Sequence, residues 1–187
     1  MKQPRFYQTE AKEAVMQYKE IPIEEIKEFI SYDELTGEMK WIKSGRGITK
    51  GSPVAKAKLR NGYMKVNFKM KSYLAHRVAY SFIHGPIPDG MEIDHINGIK
   101  DDNRISNLRL ATRMQNSMNV AINHRNTSGV KGVAWDAGRS RWIASVSANG
   151  ETFNIGRFKS IHAAERAVIN ARNKTNGEFS NHGEFKK

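Results

Sequence analysis

The 187-residue chain contains no cysteine. That single absence removes disulfides, thiolate zinc centres and a cysteine nucleophile together. No apolar run approaches the length of a membrane span, and residues 1–30 lack a signal-peptide core. The expectation is a cytoplasmic protein with no membrane partner and no obligate protein partner. Acidic side chains are also scarce: 19 Asp and Glu stand against 31 Lys and Arg, a net charge of +12. A surplus of this size calls for a polyanionic partner, most commonly nucleic acid. Hydrophobic residues make up a lean 39%, yet Trp, Phe, Ile, Leu and Val recur throughout, which is the composition of a folded chain.

The surplus is uneven. Net charge is −1 over residues 1–30, +7 over 31–91, 0 over 92–124 and +6 over 125–187. Two basic blocks flank a neutral one, as two phosphate-binding arms around a catalytic segment would. Residues 1–30 read as a charged leader or amphipathic helix, with Ile21, Ile23, Ile26, Phe29 and Ile30 as its core candidates. Thr36-Gly37 followed by Met39-Lys40-Trp41 suggests a hairpin, and Asn61-Gly62 is a stronger two-residue turn signal. Beyond it, Met64, Val66, Phe68 and Met70 alternate with Lys65, Asn67, Lys69 and Lys71, predicting a strand with one buried face. Its lysine-rich face suits either a solvated edge strand or one that tracks phosphates through Lys65, Lys69 and Lys71. A short helix is expected over Tyr73–His84, ended by Gly85-Pro86.

Residues 125–179 read as a separate unit after a polar junction at 122–129. Strands are predicted over Lys131–Asp136, Arg141–Ala148 and Glu151–Phe158, the last two joined by Asn149-Gly150. A helix capped by Ser160 follows, with Ile161, Ala164, Val168 and Ala171 on one stripe.

The chemistry concentrates in the neutral block. Glu92–Ile96 reads as a strand running into a polar loop, Leu108–Ala111 as a second strand, and Thr112-Arg113-Met114-Gln115 as a capping box opening a helix. Asp94 and His95 then lie on the first strand, Asn107 at the start of the second and Asn116 in the first helical turn. Each residue alone could be an ordinary loop or turn residue. As a set on these elements, they suggest catalysis.

This stretch resembles the HNH endonucleases, whose ββα-metal fold has this order of elements. His95 matches the first histidine, Asn107 the central asparagine, and Asn116 stands where many members carry the last histidine. The run Asp101-Asp102-Asn103-Arg104-Ile105-Ser106-Asn107-Leu108-Arg109 also looks like the family signature. The likeness covers roughly residues 73–119 and is closest to phage-type homing members, which often nick one strand. It implies a metal-dependent hydrolase acting on double-stranded DNA, with one Mg²⁺ or Mn²⁺ per site. His95 would be the general base. Asp94 and Asn116 offer hard oxygen ligands, and Asn107 would accept the other ring N–H of His95. Asp94 and His95 should face opposite sides of a flat strand. His76 is expected to pack beneath the site. One site per chain favours nicking by a monomer. The rival reading is a non-catalytic DNA-binding regulator on a degenerate nuclease scaffold.

Gly129–Phe179 resembles the Apetala, or ethylene-response-factor, DNA-binding domain through Gly132-Val133, Arg141-Trp142-Ile143-Ala144, Ile155-Gly156-Arg157-Phe158 and the helix around Ala163–Ala167. The resemblance implies a three-stranded sheet laid in the major groove. Trp142, Ala144, Val146, Phe153 and Ile155 should face the helix. Arg141, Ser145, Ser147 and Asn154 should face outward, with Lys131 and Arg139 also within reach of DNA. The expected architecture is α+β: a leader at 1–30, a β-rich region plus nuclease unit at 31–122 with its ββα core at 92–119, and a sheet packed on one helix at 129–180.

Overall fold

Ile23, Ile26 and Ile30 recur every three or four residues, and a short helix α1 (Ile23–Lys27) turns the first two inward. They join Val66, Val78, Ile93 and Leu108 in one hydrophobic cluster. Residues from Ile23 onward, expected to belong to a leader, are therefore built into the same core as the nuclease-like strands. The computed structural model describes residues 20–148 and 150–183. The remainder of the expected leader, and Asn149 of the expected turn, lie outside the described residues.

Strands β1 (Ile30–Tyr32) and β2 (Met39–Trp41) form the first hairpin. The Asp33 carboxylate accepts the backbone N–H groups of Leu35 and Thr36 at 2.9 and 3.1 Å, and Gly37 takes φ +77° to complete the turn. β3 (Ala57–Lys58), β4 (Met64–Phe68) and β5 (Lys71–Leu74) follow as a three-stranded antiparallel sheet. The alternation predicted from Met64 stops early. Lys69 and Met70 both adopt positive φ (44° and 61°) and turn the chain back on itself. Val66 and Phe68 are buried as expected, but Met70 is fully exposed at the turn. The helix expected from Tyr73 begins two residues later, as α2 (Ala75–His84), because Leu74 is still extended and pairs with Lys65.

β6 (Met91–His95) and β7 (Leu108–Thr112) pair antiparallel, and α3 (Arg113–Met118) follows at once. The capping box forms as predicted: Gln115 N donates to Thr112 Oγ1 at 3.2 Å, and Thr112 N donates to Gln115 Oε1 at 2.8 Å. The C-terminal unit holds β8 (Val133–Asp136), β9 (Arg141–Ala148) and β10 (Glu151–Phe158), with β9 central. They are covered by α4 (Ile161–Asn176), whose first turn is capped by Ser160. The fold is α+β, with the expected three-stranded sheet packed on one helix.

Two details of this unit depart from expectation. A bulge between Asn154 and Gly156 interrupts the pairing of β10 with β9, and Phe153, although paired with the inward Val146, stays 47% exposed while Ile155 packs on the core. On α4 the buried stripe runs Ala164, Val168, Arg172 rather than ending at Ala171. Arg172 is buried because its guanidinium is satisfied: Nη2 donates to Lys131 O at 2.8 Å, and Nη1 lies 3.0 Å from His182 Nδ1. No helix among the described residues is long and apolar enough to cross a membrane.

The first hairpin supports the loop between β6 and β7. Tyr32 Oη donates to Asn103 O at 2.7 Å, and Ile105 N donates to Glu34 O at 3.2 Å. Gly37 sits so close to this loop that a Cβ there would lie 2.7 Å from both Asn103 C and Arg104 N. Gly37→Ala therefore adds a backbone clash to a positive φ. The expected loss is about 1–3 kcal/mol, read as a melting temperature lower by about 2–10 °C.

α2 buries His76, whose Nδ1 has no hydrogen-bond partner among the described residues and whose ring faces those of Tyr63 and His95. Desolvation, reinforced by His95 and Arg77, holds the His76 pKa well below 6.5. The native state thus binds fewer protons than the unfolded chain once pH drops. This contribution to stability is complete above about pH 6.5 and declines below it. His76→Phe should shrink the loss in denaturation midpoint between pH 7.5 and 5, and an unchanged loss would contradict this account.

Candidate active site

Alternation along β6 sends Ile93 and His95 to one face and Glu92 and Asp94 to the other. The register sets Asp94 opposite Arg109 and His95 opposite Leu108. No bulge brings the two side chains to one side, so the site is assembled around both faces of a strand end.

On the first face the His95 ring is buried, with the His76 ring edge-on at 5.0 Å and the Tyr63 ring at 5.8 Å. Its Nε2 lies 3.3 Å from Asn103 Oδ1. Burial lowers the His95 pKa, partly opposed by the Asn103 bond and the charges of Asp94, Asp102 and Asp101. A neutral imidazole results, able to accept a proton at neutral pH. Asn107 does not meet this ring, contrary to expectation. Its Oδ1 accepts Asn97 N–H at 3.0 Å and its Nδ2 donates to Asp102 O at 2.8 Å. These bonds close the loop between the strands, so Asn107 acts on His95 at one remove and Asn103 makes the contact. Asp102 ties the same loop down through Arg104 (2.6 and 2.8 Å) and Asn97 (2.7 Å). The Arg104 hydrogen bonds are the main reason its pKa falls to about 2.

On the second face Asp94 is almost enclosed. Arg109 donates to its Oδ2 from Nε at 2.9 Å and from Nη2 at 2.8 Å. Asn119 Nδ2 reaches both carboxylate oxygens, at 3.0 and 3.1 Å, and His95 O at 2.8 Å. Asn116 Nδ2 donates to Glu92 Oε2 at 2.5 Å. Glu92, Asn103, Arg109 and Asn119 were not singled out as site residues from sequence. Two had a signal: Glu92 is two residues from Asp94 on a strand, and Asn119, the residue that caps α3, is three from Asn116.

A cleft of about 510 Å³ opens here, lined by Tyr63, His95, Lys100, Arg113, Asn116 and Asn119 among others. Lys100 and Arg113 give it positive charge suited to a phosphate. Among the described residues no group of three His, Cys, Asp or Glu is arranged to hold a metal ion. Glu92 and Asn116 line the cleft and share a hydrogen bond, while Asp94 lies two residues along the same face of β6 with both oxygens engaged by Arg109 and Asn119. These donors are carboxylates and an amide. Such a set of hard oxygens fits Mg²⁺ or Mn²⁺, with water and substrate oxygens completing the shell.

The sequence-predicted DNA contacts fall in several places. Lys65 is half-buried on β4, and Lys69 pairs with Glu25 at the turn, so the expected lysine row is broken before Lys71. Lys131 is an internal strut: its Nζ donates to Met118 O, Val120 O and Asn181 O, and desolvation, aided by Arg172, lowers its pKa to about 8. Arg139 pairs with Asp136 at 3.5 Å. Arg141, Ser145, Ser147 and Asn154 share the sheet face away from α4, and Ser147 and Thr152 hydroxyls lie 3.0 Å apart.

The HNH endonuclease family model matches residues 73–118. Protein 3.8 of Escherichia phage T7 is 33% identical over 119 residues, covering 63% of this chain and 98% of that protein. An uncharacterized HNH endonuclease, L560, of Acanthamoeba polyphaga mimivirus is 36% identical over 110 residues. That match covers 58% of this chain and 54% of L560, so the chain spans about half of this relative's length. A solved structure of the HNH homing endonuclease I-HmuI, from work on its DNA binding and cleavage, aligns over 84% of this chain and 91% of its own. Its TM-score is 0.41 and its identity 21%. The family match on β5 to α3, over the hairpin and helix that carry His95, Asn107 and Asn116, together with the phage relative matched almost end to end, shows that the chain belongs to the HNH endonuclease family.

Proposed function

We propose that this chain hydrolyses phosphodiester bonds of double-stranded DNA at selected sites, with a divalent cation, and that a monomer nicks one strand. The observation that carries this reading is His95: buried beside a basic cleft, kept neutral by its surroundings and hydrogen-bonded through one ring nitrogen to Asn103. With Nε2–H donated to Asn103 Oδ1, Nδ1 is the nitrogen that takes a proton from the attacking water. Lys100 and Arg113 hold the phosphate against the cleft. Asp94, Asn116 and Glu92 would hold Mg²⁺ or Mn²⁺, which when bound supplies Lewis acidity to the scissile phosphate and the leaving oxygen. Asn107 and Asp102 keep the loop rigid so that Asn103 stays on the ring. The outward face of the C-terminal sheet supplies DNA affinity, and its likeness to Apetala-type domains supports a role in choosing sites.

One observation favours the alternative of a non-catalytic DNA-binding regulator: both Asp94 oxygens are already engaged by Arg109 and Asn119. Conversion of supercoiled plasmid with Mg²⁺, Mn²⁺ or EDTA separates the two. The nuclease reading expects open-circular product that requires metal, and a rate lowered by roughly 10²–10⁴-fold in His95→Ala with DNA affinity kept within a few-fold. An intact plasmid under every metal condition supports the regulator.

The sheet-face assignment has its own test. The triple variant Arg141→Ala, Ser147→Ala, Asn154→Ala should bind DNA more weakly, and its salt dependence should flatten by about one unit of slope for the lost arginine. Nicks mapped on a long duplex should scatter more widely. Binding, salt slope and nick pattern all equal to wild type would place recognition elsewhere.

A further inference from the structure

The two side chains that hold Asp94 are themselves held from behind by a short segment after α4. Arg109 lies over the Phe179 ring, with its guanidinium carbon 3.8 Å from the ring centroid, and its Nη1 donates to Glu178 O at 2.6 Å. Asn119 Oδ1 accepts Asn181 Nδ2–H at 3.0 Å. Phe179 is buried, and Asn181 reaches the cleft itself. The segment is anchored in turn: Asn181 O accepts from Lys131 Nζ at 2.9 Å, Ser180 Oγ donates to Arg172 O at 3.0 Å, and His182 meets Arg172.

We propose that residues 178–181 form a positioning strap for the active site, in which Phe179 and Asn181 fix the orientation of the Asp94 carboxylate by way of Arg109 and Asn119. The inference rests on the nuclease reading of Asp94 as a metal-holding residue. An arginine paired with a single carboxylate could swing with it. Stacking on an aromatic ring and a second bond to a main-chain carbonyl remove that freedom. Asn119 is an amide with alternative orientations. Donation from Asn181 to its oxygen leaves its NH₂ group turned to Asp94 and His95 O. The strap sets donors on both sides of one carboxylate, so a cation approaching it meets a fixed orientation. The segment belongs to the C-terminal unit, which makes that unit part of the catalytic apparatus as well as a DNA-binding surface. Ending the chain near residue 123 would therefore remove support from Asp94 along with the sheet.

The full-length protein tests this with Phe179→Leu, Asn181→Ala and the conservative Phe179→Tyr. Supports of this kind typically contribute 10–100-fold to metal affinity or activity. Phe179→Leu and Asn181→Ala should each raise the Mg²⁺ concentration for half-maximal nicking by about ten-fold or more, and Phe179→Leu, whose ring is buried outside the cleft, should leave metal-free DNA affinity unchanged. Phe179→Tyr keeps an aromatic face and should restore the wild-type value. Mn²⁺ binding, followed through the free-ion paramagnetic resonance signal without DNA, should weaken in the same two variants. Since Asn181→Ala removes one partly buried amide, it keeps the test open should Phe179→Leu lose its fold. Equal Mg²⁺ half-points and Mn²⁺ affinities in a folded Asn181→Ala variant and wild type would overturn the strap alone. A wild-type protein that neither nicks DNA nor binds Mn²⁺ would overturn the nuclease reading, and the strap with it.

Discussion

Successive side chains on a β-strand face opposite ways, and this constraint organises the whole molecule. Asp94 and His95 are neighbours in sequence and cannot share a face of β6. Two separate environments therefore surround one strand end. The His95 side is apolar and aromatic, built from α2, Tyr63 and the loop carrying Asn103. The Asp94 side is polar, built from Arg109, α3 and the segment beyond α4. A desolvated pocket lowers the pKa of the His95 imidazole, and a pocket full of donors holds the Asp94 carboxylate by hydrogen bonds. The two tasks need opposite surroundings, and the pleat separates them. Asn119 bridges the halves, bonding at once to the Asp94 carboxylate and the His95 carbonyl.

Much of this was legible in the sequence where local rules decide. The capping box at Thr112, the Ser160 cap and the extents of β9 and β10 follow from short-range chemistry, and they appear where expected. Met70 was misplaced because period-two alternation says where a strand can lie, not where it ends. The Lys69–Met70 turn uses none of the Asn-Gly signals that mark tight hairpins. The Apetala-like alternation likewise gave no hint of the bulge beside Phe153. In the site, family resemblance selected His95, Asp94, Asn107 and Asn116, but not who touches whom. Asn103 and Asn107 lie in one loop, and either could have met the histidine. Which one does depends on how the loop folds back under Tyr32 and Gly37, an interaction spanning 71 residues from Tyr32 to Asn103. Arg109 was invisible for a similar reason: its pairing with Asp94 depends on the register across a long loop.

Charge proved a coarser guide than pattern. Lys131 adds to the basic surplus of residues 125–187, and its place in the Apetala-like sheet suggests a DNA contact, yet that ammonium sits under three carbonyls from two parts of the chain. Arg172 is likewise spent internally. Positive charge counted along a sequence thus overstates what the surface offers a polyanion. In this chain some of it joins the nuclease hairpin to the sheet-and-helix unit, where a hydrophobic contact would otherwise be needed.

The contacts behind Asp94 also carry a temporal meaning. Arg109 meets Glu178 across 69 residues, and Asn119 meets Asn181 across 62. A ribosome releases β6, β7 and α3 well before it makes the residues that brace them. The emerging hairpin can bury Ile93 and Leu108 against the core already synthesised, but its carboxylate waits for a late-arriving clasp. Pairings so distant in the chain are also slow to form. Maturation of the site is thereby tied to the synthesis of residues 178–181, and a polypeptide stalled before Glu178 carries a folded hairpin without its brace.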